Sequence, residues 1–147
     1  MQFNGLNVQR KMDRWIESSN AKGCVDRELY RLKRYGSPVT IVMYRSVDPD
    51  FEKKFYIHSR RTDHLIPLAE NHYLLLYGNT EISNTMKAID NLRIYLEHGA
   101  ENDKNRIALT QLQPDDELDD ALKRLLTLFV IATQNRDRVV DDSYLMR

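Results

Sequence analysis

The chain reads as an α+β protein whose middle is a ferredoxin-like βαββαβ unit. Three observations predict this. Val39–Tyr44 (VTIVMY) is a short β-branched run, apolar on both faces, as a central strand is. Asp63–Leu68 and His72–Tyr77 are two strand-like runs joined by a tight turn at Ala69–Glu70–Asn71–His72. Two amphipathic helical stretches follow, separated by a fourth strand-like run, Arg106–Leu112.

Taken in order, Val8, Met12, Trp15, Ile16 and Ser19 fall on one face, predicting a helix over 7–19. Its apolar stripe suits packing on the domain or against a second copy. Ser18–Gly23 (SSNAKG) reads as a break. A second helix is expected over Val25–Tyr35, stopped by Gly36 and Pro38. After the first strand, Asp48-Pro49-Asp50 is a turn, with Asp50 a candidate cap for a short helix over Phe51–His58. Thr80 is a candidate cap for a helix running to about His98, where Gly99 stops it. Its apolar positions Ile82, Met86, Ile89, Leu92 and Leu96 keep helical spacing. Pro114-Asp115-Asp116 opens the last helix, with acidic residues facing its dipole. Leu118, Leu122, Leu125, Leu126 and Phe129 line the buried face of that helix.

The helices are expected to cover one face of an antiparallel sheet, with two extra helices ahead of it and a short first crossover. The implied organisation is a helix and linker over 1–23, a domain over 24–140 and a frayed tail over 141–147.

Composition narrows the function. A chain of 147 residues is about one domain, and its 41% apolar content supports one core. Lys+Arg and Asp+Glu are both 22, so the neutral balance argues against an extended nucleic-acid interface. An RNA-binding βαββαβ module would show an RNP1-like run, and none is present. Cys24 is the single cysteine and fits a small, half-buried thiol in a reducing cytoplasm. The N-terminus, MQFNGLNVQRKMDRW, has no apolar signal-peptide core, and no run approaches the ~20 apolar residues of a membrane span. His58, His64, His72 and His98 lack metal-ligand spacing, so no metal is expected.

Four landmarks in order carry a resemblance. They are Arg34–Tyr44 (RYGSPVTIVMY), Arg60–Asp63 (RRTD), Leu74–Thr80 (LLLYGNT) and Leu128–Val140 (LFVIATQNRDRVV). From about Asp26 to Val140 the chain resembles a GGDEF domain, the module that makes cyclic di-GMP. The fourth landmark resembles the family's closing ALYxAKxxGRNRVV, with Phe129 at the tyrosine and Ala132 at the lysine near the triphosphate. The resemblance implies Arg136 as the phosphate contact kept, or as a relic of it now an ordinary surface charge.

The departures decide what the resemblance implies. Active members hold Mg²⁺ with an aspartate at the end of the first strand and an acidic residue in the signature turn. Those positions are Arg45 and the pair Asn71–His72, and a cation where a divalent ion should sit repels it. The signature reads Ala69, Glu70, Asn71, His72, Tyr73, so side chains replace the two glycines that admit phosphates. Only 14 residues separate Arg45 from Arg60, whereas the family has a longer crossover carrying the Asn and Asp that read guanine. The resemblance therefore implies a degenerate domain that is not an enzyme and carries no cofactor.

It also implies a second site. The family's Arg-x-x-Asp pair is a product-binding inhibitory site for cyclic di-GMP, here Arg60 and Asp63 with Arg61 alongside. An arginine fork suits guanine or phosphate, and a carboxylate accepts from guanine's donors. Asn91 stands where some members carry a further arginine, and Lys87 and Arg93 lie within a turn of it. The same short pattern also describes an ordinary exposed ion pair. The expected role is a bacterial, cytoplasmic cyclic di-GMP receptor that changes its contact with a protein partner or a second copy, as degenerate domains of exopolysaccharide-secretion receptors do. The alternative is a nucleotide-independent scaffold or dimerisation unit in which the helix at Val8–Ile16 makes the contact.

Overall fold

The computed structural model describes residues 5–96, 104–134 and 138–146. Along them lie five α-helices and five strands. Helices α1 (Gly5–Ser18) and α2 (Ala21–Tyr35) precede strand β1 (Val39–Arg45). Then come α3 (Phe51–His58), β2 (Asp63–Ala69), β3 (His72–Gly78), α4 (Ile82–Leu96), β4 (Arg106–Gln111), α5 (Leu118–Gln134) and β5 (Val139–Val140). A terminal 3-10 helix covers Asp142–Met146.

The strand order is β2-β3-β1-β4-β5. β1 pairs antiparallel with β3 and β4, and β2 with β3, which reproduces the βαββαβ arrangement; β5 adds a parallel fifth strand, so the sheet is mixed. Both outer strands are poor templates for further pairing. β2 carries Pro67 and a register shift between Pro67 and Ala69, and β5 is two residues long.

Helices cover both faces of the sheet, not one. Alternate residues of β1 serve two separate cores, as the two-residue period of a strand requires. Ile41 and Met43 join α1, α2 and α5 through Met12, Ile16, Val25, Leu29, Leu125 and Phe129. Val42 and Tyr44 join α3 and α4 through Phe51, Phe55, Ile89 and Leu92. The apolar stripe of α1 is thus covered within its own domain, with Met12 and Ile16 fully buried.

The break between the first two helices is only Ser19–Asn20. The expected linker at Ala21–Gly23 is instead the first turn of α2, because a Cβ-free Gly23 faces open space and Ala21 is buried. Gly36 closes α2 at φ 72°, its N–H donating to Leu32 O at 2.8 Å.

Three local expectations need correction. Asp50 starts α3 with its carbonyl and not its side chain. The neighbouring Asp48 carboxylate does the fixing, accepting from Asp50 N at 2.8 Å and from Lys54 Nζ at 2.6 Å. Thr80 does not cap α4; its hydroxyl donates to Gly78 O, and the Ile82 N–H donates to Gln111 Oε1 at 2.9 Å from β4. Asp116 lies ahead of α5, turned inward, while Asp119 and Asp120 occupy the helix's first turn.

Within the described residues a 3-10 helix covers the tail over Asp142–Met146. Asp142 accepts from Thr110 Oγ1 and from Gln111 N, which moors the 3-10 helix to β4. The same region holds a polar cluster around Arg124. Its guanidinium grips Asp116 in bidentate fashion at 2.8 Å on both oxygens and also donates to Thr110 Oγ1 at 2.7 Å. His98, Gly99 and Arg136 lie outside the described residues.

Gly78 ends β3 with its N–H on Thr62 O at 2.9 Å, and a Cβ there would stand 2.8 Å from that same oxygen. Gly78→Ala is expected to lose roughly 1–3 kcal/mol through this overlap. A thermal melt checks it, and an unchanged midpoint would show that the Thr62 loop yields without cost.

Candidate functional site

Two places bear on function, the end of β1 and a groove beside α4.

At the first, strand pairing sets Arg45 opposite His72 on β3 and Arg106 on β4. The β2–β3 connection is a two-residue turn at Glu70–Asn71, with Asn71 at φ 63°, a conformation asparagine tolerates. Ala69 and Glu70, at the resemblance's glycine positions, keep ordinary negative φ, so this turn needs no glycine there. Asn71 O accepts from Ser46 N at 2.9 Å, and His72 Nδ1 donates to Glu70 O at 2.7 Å.

Aromatic rings bracket the turn. Trp15 of α1 lies against the His72 ring at 4.6 Å between centroids, with Phe129 beyond at 6.1 Å. On the opposite face Phe51, fully buried, stacks on Tyr73 at 4.2 Å and leans on Tyr44 at 4.8 Å. Burial lowers the His72 pKa, and the Arg45 charge adds to that against the Glu70 carbonyl, so the imidazole favours its neutral form. Burial raises the Tyr73 hydroxyl, helped by Glu52 and Asp48.

This donor set does not fit Mg²⁺. Hard oxygen ligands are required, and the place is lined by Arg45, His72 and Arg106. The nearby Asp48 carboxylate is engaged by Lys54. Among the described residues no three His, Cys, Asp or Glu side chains group around a common point. Ala132 is a buried methyl on α5.

The second place is a groove of about 610 Å³ between α3 and α4, closed at its base by β2 and β3. Arg60, Asp63, Lys87 and Asn91 all line it. Asn84, Lys87, Asn91 and Tyr95 belong to one stripe of α4, since residues three and four apart share a helix face. Arg61 is exposed and lies outside the groove lining, as does Arg93, which pairs with Asp90 at 4.0 Å.

Arg60 and Asp63 are not equivalent. The Asp63 side chain is only 3% exposed, against 57% for Arg60. Its carboxylate accepts from Arg60 N at 2.8 Å, Arg60 Nε at 3.5 Å and Arg60 Nη2 at 3.4 Å. Nη2 also donates to Thr80 Oγ1. Asp63 therefore holds the guanidinium in place from the buried wall of the groove. Burial, with the Asp63 charge, drives the Tyr77 hydroxyl upward behind the pair.

Thr80, Asn84, His58 and Tyr95 are groove residues that sequence reading did not assign. Helical spacing from Lys87 and Asn91 would have found Asn84 and Tyr95. Nothing local signals His58, which meets Tyr95 from another helix at 4.0 Å with rings 22° from parallel.

No family model matches the chain, and no curated protein matches it. Solved structures do. The diguanylate cyclase SiaD of Pseudomonas aeruginosa, solved with its activator SiaC, superimposes with a TM-score of 0.68 at 14% identity. The match covers 81% of this chain, which spans 55% of that one. The active GGEEF domain of a Vibrio cholerae diguanylate cyclase gives 0.64 at 14% identity, over 78% of this chain and 89% of that one. The GGDEF domain of DgcB from Caulobacter crescentus, in complex with c-di-GMP, gives 0.60 at 9% identity, over 79% and 84%. The fold is thus that of GGDEF, nucleotidyl-cyclase-like domains. Among the described residues no helix is long and apolar enough to cross a membrane.

Proposed function

We propose that this chain is a catalytically inactive GGDEF-fold domain that serves as a regulatory receptor for cyclic di-GMP, bound in the groove between α3 and α4. The observation that carries the reading is the preset Arg60. A guanidinium clamped by Asp63 and Thr80, yet largely exposed, loses little freedom when a phosphate or guanine edge docks on it. Lys87 and Asn91 face the same space and supply a second cation and an amide. Solved neighbours of the same fold carry cyclic di-GMP, which supports the ligand class.

The β1 end supports the inactive reading. Phosphoryl transfer needs metal and donors aimed at developing charge. A site lined by Arg45 and His72, with Trp15 packed on the turn, provides neither metal ligands nor a glycine cradle.

Isothermal calorimetry tests the receptor reading. Wild type should bind cyclic di-GMP, and Arg60→Ala should weaken binding about ten- to a hundredfold, the usual worth of a charged bidentate contact. Absence of heat with wild type, or equal binding by the variant, rejects it. Against the helix-mediated scaffold alternative, Met12 and Ile16 of α1 already pack inside the domain.

A further inference from the structure

We infer that the groove's outer end is a nucleobase platform formed by Tyr95 and His58, so that the ligand is read by stacking as well as by charge. The inference rests on the receptor reading above and assigns residues to that site. The two rings stack face to face at 4.0 Å across the C-terminal ends of α4 and α3, each covering one face of the other, and both residues are exposed. Tyr95 keeps 46% of its surface exposed although it is a large ring, and both residues line the groove that contains Arg60 and Lys87.

The surface is fixed in place. Lys54 Nζ bridges the two helices, donating to Tyr95 O at 3.3 Å and to Asp48 Oδ2 at 2.6 Å. A platform held in this way stacks a base at small entropic cost. The distribution of chemistry along the groove matches a nucleotide. Cations stand at Arg60 and Lys87, amides at Asn84 and Asn91, and the ring pair lies beyond. Stacking accepts any base, so the rings supply affinity while the amides and Arg60 read base edges. A volume of about 610 Å³ lies within the range of small-molecule sites.

The test compares Tyr95→Ala, Tyr95→Phe and Arg60→Ala in the full chain. Two probes are titrated, cyclic di-GMP and inorganic pyrophosphate, which has charge but no base. Tyr95→Ala should weaken cyclic di-GMP about tenfold, as loss of one stacked base does. Tyr95→Phe should restore wild-type affinity, and neither Tyr95 variant should change pyrophosphate binding. Far-ultraviolet circular dichroism of Tyr95→Ala should match wild type. If Tyr95→Ala binds cyclic di-GMP as wild type does while Arg60→Ala does not, the platform is wrong and the receptor reading stands. If wild type binds no cyclic di-GMP, both are overturned. Equal weakening of both probes by Tyr95→Ala also overturns the platform, because it shows a general distortion of the groove.

Discussion

Replacing Phe51 with alanine is expected to destabilise the domain by about 3–5 kcal/mol, the usual cost of deleting a buried phenyl ring. The ring is fully buried and joins three elements. It stacks on Tyr73 of the hairpin, leans on Tyr44 of β1 and anchors the first turn of α3. The first crossover is short, and α3 has only 8 residues, too few to hold a helix by propensity alone. Removing the ring leaves Phe55 as the other fully buried anchor of that helix. The loss should appear as a lowered urea midpoint with little change in slope. The variant should also bind cyclic di-GMP more weakly, because α3 forms one wall of the groove. A loss below about 1 kcal/mol would mean that the site refills on its own and α3 is held by other contacts.

Arg124→Ala is expected to cost about 2 kcal/mol, less than the ~3–5 kcal/mol of breaking a fully buried pair, because the Arg124 side chain retains 22% exposure. Burial by itself would raise the Asp116 pKa. The hydrogen bonds from Arg124, then the Gln113 N–H and the Arg124 charge, outweigh burial and hold it below 3.8. A carboxylate with a depressed folded pKa stabilises the fold above its unfolded value, and that contribution fades as pH falls through the folded one. In the variant burial is no longer opposed by the guanidinium. The stability gap between wild type and Arg124→Ala should therefore be widest near neutral pH and shrink below pH 3.8. Urea titrations at pH 7 and pH 3 would show this; a pH-independent gap would assign the loss to packing around Thr110 and Gln111 instead.

Much of the fold could be read from local pattern. Leu74–Tyr77 and Val39–Tyr44 are apolar on both faces, and both strands are buried on both sides. That reading conflicted with helices on one face only, and the alternation of Ile41 and Met43 against Val42 and Tyr44 resolves it. Other features depend on partners distant in sequence. Gln111 caps a helix 29 residues earlier, and Asp142 ties the terminal 3-10 helix to a strand 31 residues back, so neither leaves a local trace.

The groove divides in the same way. Arg60 and Asp63 were visible as a spacing, and Lys87 with Asn91 as neighbours on one helix face. Arg93 is two residues from Asn91 and so turns away from that face toward Asp90. Spacing does not reveal that Asp63 is buried, because its cross-strand partner Tyr77 comes from β3. The His58–Tyr95 contact joins helices that sequence places 37 residues apart, and only the folded chain brings them together.

Pro67 has one more effect. It has no amide hydrogen to give to a ladder, the register shifts beside it, and the opposite border is a two-residue stub. A stranger's strand finds no continuous ladder to extend on either side. Edge-to-edge strand addition is therefore disfavoured at both borders of the sheet.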